Sequence, residues 1–302
     1  MGLKIENVSK SYGTKKVVDN INLELNKPGA FGLLGTNGAG KTTTIRMILG
    51  ILKKDEGKIS WNGKEVERKS VNFGYLPEER GIYPKTKIYT QLMYFAKLKG
   101  MTEQLADEKI KYWMKKLEVE EYMDMTAEKL SKGNQQKIQF ITAIVHNPEL
   151  IVLDEPFSGL DPVNTEIIRN VILELVKEGK YIIMSAHQMS VVEEFCTDIL
   201  ILNKGKTVLQ GNLDDIKNGY KANRLDISIN EEDTKKENVK DYIKSQGLEI
   251  LLQKDNNYEI KISQEEDGYK LFEILAKNNI KVNKFEIKKP SLHDIFIEKV
   301  GE

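Results

Sequence analysis

Residues 35–42 read Gly35-Thr36-Asn37-Gly38-Ala39-Gly40-Lys41-Thr42, which satisfies the pattern G-x-x-x-x-G-K-[ST]. Immediately before them Ala30 to Leu34 form an apolar, strand-like run. After them Lys41 to Leu49 carry apolar residues at helical spacing, with Gly50 as a stop. Strand, glycine loop and helix in that order make a cradle for nucleotide phosphates. The glycines let backbone N–H groups turn inward, and the helix contributes the positive end of its dipole. Lys41 is expected to reach the outer phosphates and Thr42 to ligate Mg2+. Gly35, Asn37, Gly38, Ala39, Gly40 and Thr43 complete the expected cradle.

A phosphate loop alone does not separate kinases from GTPases or ATPases, so a second site has to decide. Leu150-Ile151-Val152-Leu153-Asp154-Glu155 has the pattern of a buried strand ending in two carboxylates. In α/β folds ligands gather at the carboxyl ends of strands. Asp154 is then placed to hold Mg2+ through water, and Glu155 to polarise the attacking water as general base. The plainer alternative is that these carboxylates only cap the next helix. Beside a phosphate loop, ATP hydrolysis is the favoured reading.

Around these two motifs the chain alternates strands and helices. Strand-like runs cover Leu3 to Val8 and Val17 to Leu25. Helical spacing marks an insert at about 85–147, with segments Lys87 to Lys99, Glu103 to Leu117 and Gln135 to Val145. Strands at Tyr181 to Ser185 and Ile199 to Leu202, with a helix Pro162 to Lys177, complete a mostly parallel α/β sheet with helices on both faces. A boundary is expected near Asn218 and Gly219, giving domains 1–218 and 219–302. The second reads β-α-β-β-α-β, the order of a small α+β ferredoxin-like domain, and carries no catalytic motif.

Composition narrows the function classes. Lys+Arg and Asp+Glu both count 46 in 302 residues, so the balanced charge gives no reason to expect a nucleic acid partner. The single cysteine, Cys196, excludes an intrachain disulfide and fits a reducing cytoplasm. No apolar run approaches the roughly 20 residues that a membrane helix needs, so no direct membrane insertion is expected. Asn203-Lys204-Gly205-Lys206 lacks the aspartate of a guanine-reading N-K-x-D, which argues against a GTPase.

Leu130-Ser131-Lys132-Gly133-Asn134-Gln135-Gln136-Lys137 resembles the LSGGQ signature of ATP-binding-cassette (ABC) ATPases, and Ser158-Gly159-Leu160-Asp161 resembles that family's D-loop. The resemblance covers about residues 1–218. It implies a P-loop NTPase with a RecA-like core, an antiparallel β subdomain and a helical subdomain. It also implies ATP and Mg2+ as cofactors, Tyr12 as the ring stacking on adenine, and His187 as the γ-phosphate sensor. Two cassettes, identical or merely paired, would bind head to tail, each ATP lying between one phosphate loop and the Ser131/Gly133 signature and Asp161 loop of the other. This sequence departs from the family where Glu78 stands in place of a glutamine that helps bind Mg2+, and where Lys132 and Asn134 alter the signature.

Leu76 to Lys85 (LPEERGIYPK) and the C-terminal PSLHDIFIEKV further resemble one bacterial subgroup, the ATP-binding subunits of sodium-extrusion and antibiotic-efflux exporters. That likeness implies separate transmembrane permease subunits and a cytoplasmic protein held peripherally at the inner face of the cell membrane. Contact with them is expected between Glu78 and the helical insert. Two alternatives stay open: a soluble ABC ATPase acting on ribosomes or nucleic acid, and a weakly hydrolysing regulatory cassette.

Overall fold

A computed structural model describes residues 2–67, 72–79, 81–186, 189–220, 222–230 and 239–301. The chain divides into two compact units, Met1–Leu213 and Asp214–Glu302.

The first unit opens with a hairpin of β1 (Leu3–Tyr12) and β2 (Lys15–Leu25), which alternate buried and exposed residues as one-sided strands do. With β4 (Glu56–Trp61) and β5 (Lys64–Glu65) they form an antiparallel sheet of order β2-β1-β4-β5. The second sheet uses β3 (Gly29–Gly35), β6 (Gly74–Leu76), β7 (Leu150–Asp154), β8 (Tyr181–Ala186), β9 (Asp198–Asn203) and β10 (Lys206–Asn212). Its order is β10-β9-β3-β8-β7-β6, parallel except for the edge strand β10. Leu150 to Asp154 are all buried, which is why this strand reads as a continuous apolar run and not as an alternation.

Helix α1 (Lys41–Ile48) follows β3 and joins the two sheets in one buried cluster. Its Ile45 and Ile48 belong with Ile5 and Ile21 of the antiparallel sheet and Leu33 and Val152 of the parallel one. Each such side chain contributes roughly 1.5–3 kcal/mol through the area it removes from water.

Between β6 and β7 come α2 (Ile88–Leu98), α3 (Glu103–Lys116) and α4 (Lys132–Ile144). The third begins three residues before the Gln135 expected from apolar spacing. Ser131 explains the difference, because its Oγ accepts from Asn134 N–H at 3.3 Å and starts the helix with residues that carry no hydrophobic signal. Helix α5 (Pro162–Lys177) keeps the expected bounds, capped by Asp161 with Pro162 at its first position. Helix α6 (Met189–Phe195) links β8 to β9, and α7 (Leu213–Asn218) follows β10.

The second unit runs β11 (Arg224–Ile229), α8 (Val239–Ser245), β12 (Glu249–Lys254), β13 (Asn257–Lys261), α9 (Glu265–Lys277), β14 (Val282–Lys288) and α10 (Leu292–Gly301). All pairings are antiparallel in the order β12-β13-β11-β14, the split βαβ arrangement. Alternate residues Leu225, Ile227 and Ile229 face Val239, Ile243, Leu271 and Leu275 in its own core. No described helix in either unit is long and apolar enough to cross a membrane.

His146, just beyond α4, gives the first unit a measurable pH response. It is buried, and Phe73 O at 3.2 Å can only accept, so Nε2 carries the ring proton. Burial, and then the Lys99 ammonium, which donates to the same carbonyl at 2.9 Å, push its pKa down to about 4. The unfolded residue protonates near its ordinary value of about 6.5, so between those values the unfolded state holds the extra proton. Stability is therefore full above the upper value and falls by about 3 kcal/mol as pH drops through the window. In urea unfolding followed across it, His146→Gln is expected to lose most of that slope.

Candidate active site

The phosphate loop depends on glycine at two positions. Gly35 has φ 148°, and a Cβ there would lie 2.4 Å from Leu202 O. Gly40 has φ 105°, with a Cβ 2.7 Å from Val17 O. Ala39 N–H donates back to Thr36 O at 3.0 Å to close the turn. The turn between β9 and β10 holds the loop from outside: Gly205 N–H donates to Ala39 O at 3.0 Å, and Asp19 N–H donates to Gly205 O at 2.8 Å. Helix α1 then starts from Gly40 without a side-chain cap and with no acidic residue in its first turn. Its first N–H groups and positive dipole end are thus left for an anion.

Residues 37–43 floor a cavity of about 500 Å3 whose walls include Lys15, Val17, Glu78, Asp154, Glu155 and Ser158. Lys41 is buried, 7% exposed; its Nζ donates to Gly35 O at 2.8 Å and lies 3.9 Å from Glu155 Oε1. Thr42 and Thr43 line the same cavity. The phosphate loop and the carboxylate pair therefore come together.

The acidic wall is built by strand register. Asp154 lies opposite Ser185 in the parallel pairing of β7 with β8. Ser185 Oγ donates to Asp154 Oδ1 at 2.5 Å and accepts from Glu155 N–H at 3.0 Å. Asp154 is 1% exposed, and its other oxygen, Oδ2, is buried without a partner. Glu155 adopts φ 53°, a left-handed conformation that a non-glycine residue takes at a cost and that turns the chain sharply after β7.

An unpaired buried carboxylate oxygen beside a half-buried threonine in an anion-binding cavity fits Mg2+. Among the described residues no three His, Cys, Asp or Glu side chains cluster closely enough to hold a metal by themselves. Mg2+ commonly takes one or two protein oxygens and fills its octahedron with phosphate oxygens and water.

The remaining candidates lie elsewhere. Tyr12 pairs with Lys15 across the β1/β2 hairpin and is 54% exposed, with Lys10 Nζ 5.8 Å from its ring centroid. It stands near the cavity-lining Lys15 without lining the cavity itself. Ser131, Gly133 and Asp161 come together with one another and not with the phosphate loop. A Cβ on Gly133 would lie 2.7 Å from Asn164 Nδ2, and Asn164 donates to Asp161 through its backbone at 2.9 Å and its side chain at 2.5 Å. The backbone N–H of Asn164 is the main cause holding the Asp161 carboxyl below its ordinary pKa. His187 lies outside the described residues.

Sequence reading missed Lys15 and Ser185, and took Ser158 as part of the D-loop-like motif and not as a wall of this cavity. Ser185 had a faint signal, since it is a hydroxyl at the end of an otherwise apolar strand. Its partners are 30 and 31 residues away and only the pairing of β7 with β8 reveals them.

Residues 18–158 match the family described as ABC transporter, and residues 211–300 match the DrrA1-3-like C-terminal domain of ATP-binding proteins. YhaQ of Bacillus subtilis, described as an uncharacterized ABC transporter ATP-binding protein, is 44% identical over 99% of this chain and 98% of its own length. The bacitracin transport ATP-binding protein BcrA of Bacillus licheniformis is 30% identical over 99% of this chain and 97% of its own. A solved ATP-binding subunit of an ABC transporter superposes with a TM-score of 0.67 at 28% identity, over 72% of this chain and 93% of that one.

Lys41→Ala is expected to abolish ATP binding in a fluorescence titration. Ser185→Ala should keep binding but cut turnover about tenfold or more, because it removes the hydroxyl that holds the Asp154 carboxylate and the Glu155 backbone. It should also cost about 1–3 kcal/mol in denaturant unfolding, since Asp154 Oδ1 loses its donor.

Proposed function

This chain belongs to the ABC transporter family as an ATP-binding subunit, and we propose that it energises an exporter, closing on ATP with a second cassette and thereby switching separate membrane subunits between two states. The family binds and hydrolyses ATP, and its ATP-binding subunits work as dimers with separate membrane permeases. The exporter reading draws on relatives such as BcrA and the linearmycin resistance ATP-binding protein LnrL of Bacillus subtilis, 35% identical over 71% of this chain and 70% of its own.

The observation that carries the dimer is the separation of two half-sites. Asn37 to Thr43, Asp154 and Glu155 line the cavity, whereas Ser131 and Asp161 are exposed elsewhere on the same unit, with Gly133 buried against Asn164 between them. Ser131 caps a helix N-terminus, which favours an anion brought to it from outside. Head-to-tail pairing of two copies would close each cavity with the other's signature surface.

Within the site Lys41 exchanges its Gly35 carbonyl for the outer phosphates, and the unsatisfied N–H groups at the start of α1 take the inner ones. Thr42 and Asp154 would hold Mg2+, with Glu78 on the same side. When bound, Mg2+ neutralises phosphate charge and polarises the transferring group. Glu155, turned into the cavity by its left-handed backbone, accepts the proton of the attacking water. Tyr12 is assigned to adenine and His187 to the γ-phosphate.

A docking surface for the membrane subunits is supported by exposed rings next to the Glu78 loop. Tyr83 and Tyr94 are 52% exposed and Leu98 64%, and Tyr83 stacks on Phe95 with centroids 5.9 Å apart. Grouped apolar exposure of this kind marks interaction surfaces. Docking there would keep the chain at the inner face of the membrane. The C-terminal unit, with a core and no catalytic motif, is assigned to regulation or assembly.

Glu155→Gln is expected to retain ATP and to elute as an ATP-dependent dimer in size-exclusion chromatography, and Ser131→Ala to weaken that dimer. Normal turnover by Glu155→Gln would remove Glu155 from the role of base. Replacing Tyr83 and Tyr94 together by Ala should reduce co-purification with the membrane subunit while leaving the ATPase rate of the isolated chain unchanged.

A further inference from the structure

Helix α4 carries a buried amide that nothing in the nucleotide chemistry accounts for. Gln139 is 4% exposed and sits between the apolar Ile138 and Phe140. Its Nε2 donates to two backbone carbonyls, Pro77 O at 3.2 Å and Glu79 O at 3.0 Å. Both acceptors are carbonyls, so the amide can face them only through its nitrogen. Those carbonyls flank Glu78, which lines the cavity opposite the phosphate loop.

The loop needs such a hold. Strand β6 is three residues long and, among the described residues, pairs only with β7 at the edge of the sheet, so its ladder ends at Leu76. Among the described residues none donates a hydrogen bond to the Glu78 carboxylate, whereas the peptide carbonyls on either side of it are both held by Gln139. One turn earlier on the same helix face, buried Gln136 donates to Pro156 O at 3.2 Å, just beyond Glu155. A single helix thus grips the loop bearing Glu78 and the loop bearing the Asp154–Glu155 pair.

The Oε1 of Gln139 is buried without a partner. A half-satisfied amide is a poor way to stabilise a core, because the unpaired oxygen costs what one of the hydrogen bonds gains. It is a good way to fix a backbone segment. We propose that Gln139 is a positioning residue for the metal side of the nucleotide site, holding the peptide bonds around Glu78 so that its carboxylate faces the bound cation. This rests on the assignment of Glu78 to Mg2+ made above.

The test uses the full chain carrying Glu155→Gln, so that nucleotide is bound and not consumed. A fluorescent ATP analogue is titrated with MgCl2, and separately measured in EDTA. Gln139→Met, similar in length and unbranched, is expected to raise the half-saturating Mg2+ about tenfold and leave affinity in EDTA unchanged; Gln139→Leu repeats the measurement with a different shape. Glu78→Ala should raise it as well, and the double variant should be no worse than the stronger single one. Additive effects, or affinity in EDTA falling in parallel in both Gln139 variants, would show a role not exerted through Glu78 and overturn the proposal. If Glu78→Ala shifts the Mg2+ requirement and the Gln139 variants do not, the Glu78 assignment stands and the proposal fails. If Glu78→Ala changes nothing, both fall.

Discussion

Asp154 lies opposite Ser185 in the parallel pairing of β7 with β8, and the same ladder continues through Leu34 opposite Ala186 to Gly35 opposite Leu202. The carboxyl ends of four strands are thereby brought level, so the glycine loop and the Asp154–Glu155 pair face one another across one cavity. A slip of one residue in β7 would turn Asp154 to the other face of the sheet. Charge at the strand ends forbids it, since Leu150 to Leu153 are 0% exposed and a slip would carry Glu149 or Glu155 into that buried stretch. Ser185 then converts register into chemistry, because one hydroxyl orients the Asp154 carboxylate and receives the Glu155 N–H.

The other half of the machinery is set by α4. Its N-terminus presents Ser131 and Gly133, and its middle holds the loops after β6 and β7 through Gln139 and Gln136. On the proposed head-to-tail pairing, a partner's nucleotide at Ser131 would act on a helix that also contacts this chain's own Glu78 and Glu155 loops. Two loops separated by the whole helical insert in sequence are thus referred to one rigid element. That gives a physical route for each site to sense the other.

The parts of this arrangement that were legible in the sequence are those encoded within a few residues. The loop from Gly35 to Thr42 announces itself because glycine spacing, strand and helix are contiguous, and Pro162 to Lys177 because Asp161 caps and Pro162 starts the helix. The β-α-β-β-α-β order of the second unit was equally readable from its periodicity. The start of α4 was not, since Lys132, Gly133 and Asn134 lack apolar spacing and owe their helicity to a cap. Ser185 and Gln139 were illegible for another reason: the partners of Gln139 lie 60 and 62 residues away, and an isolated Ser or Gln does not state what it will meet. Tyr12 shows the converse, a residue singled out by resemblance that lies exposed beside the cavity and not in its wall.

The end of β7 concentrates features that a fold selected for stability alone would avoid. Asp154 Oδ2 is buried and unpaired, and Glu155 is left-handed without being glycine. Each costs on the order of 1–3 kcal/mol. The strand tolerates them because it is fully buried between β6 and β8, with its apolar residues packed on both faces. On the proposed assignments the costs are also of a kind that ligand would recover: a cation or its bound water would satisfy Oδ2, and Lys41 would gain phosphate oxygens where it now has a carbonyl. Interactions left unmade in the protein and completed by ATP contribute to binding, and those completed only as the γ-phosphate departs contribute to rate. On the proposed role of Glu155 as base, its backbone strain would belong to the second kind, because it turns the side chain to the cavity before any water is there to be activated.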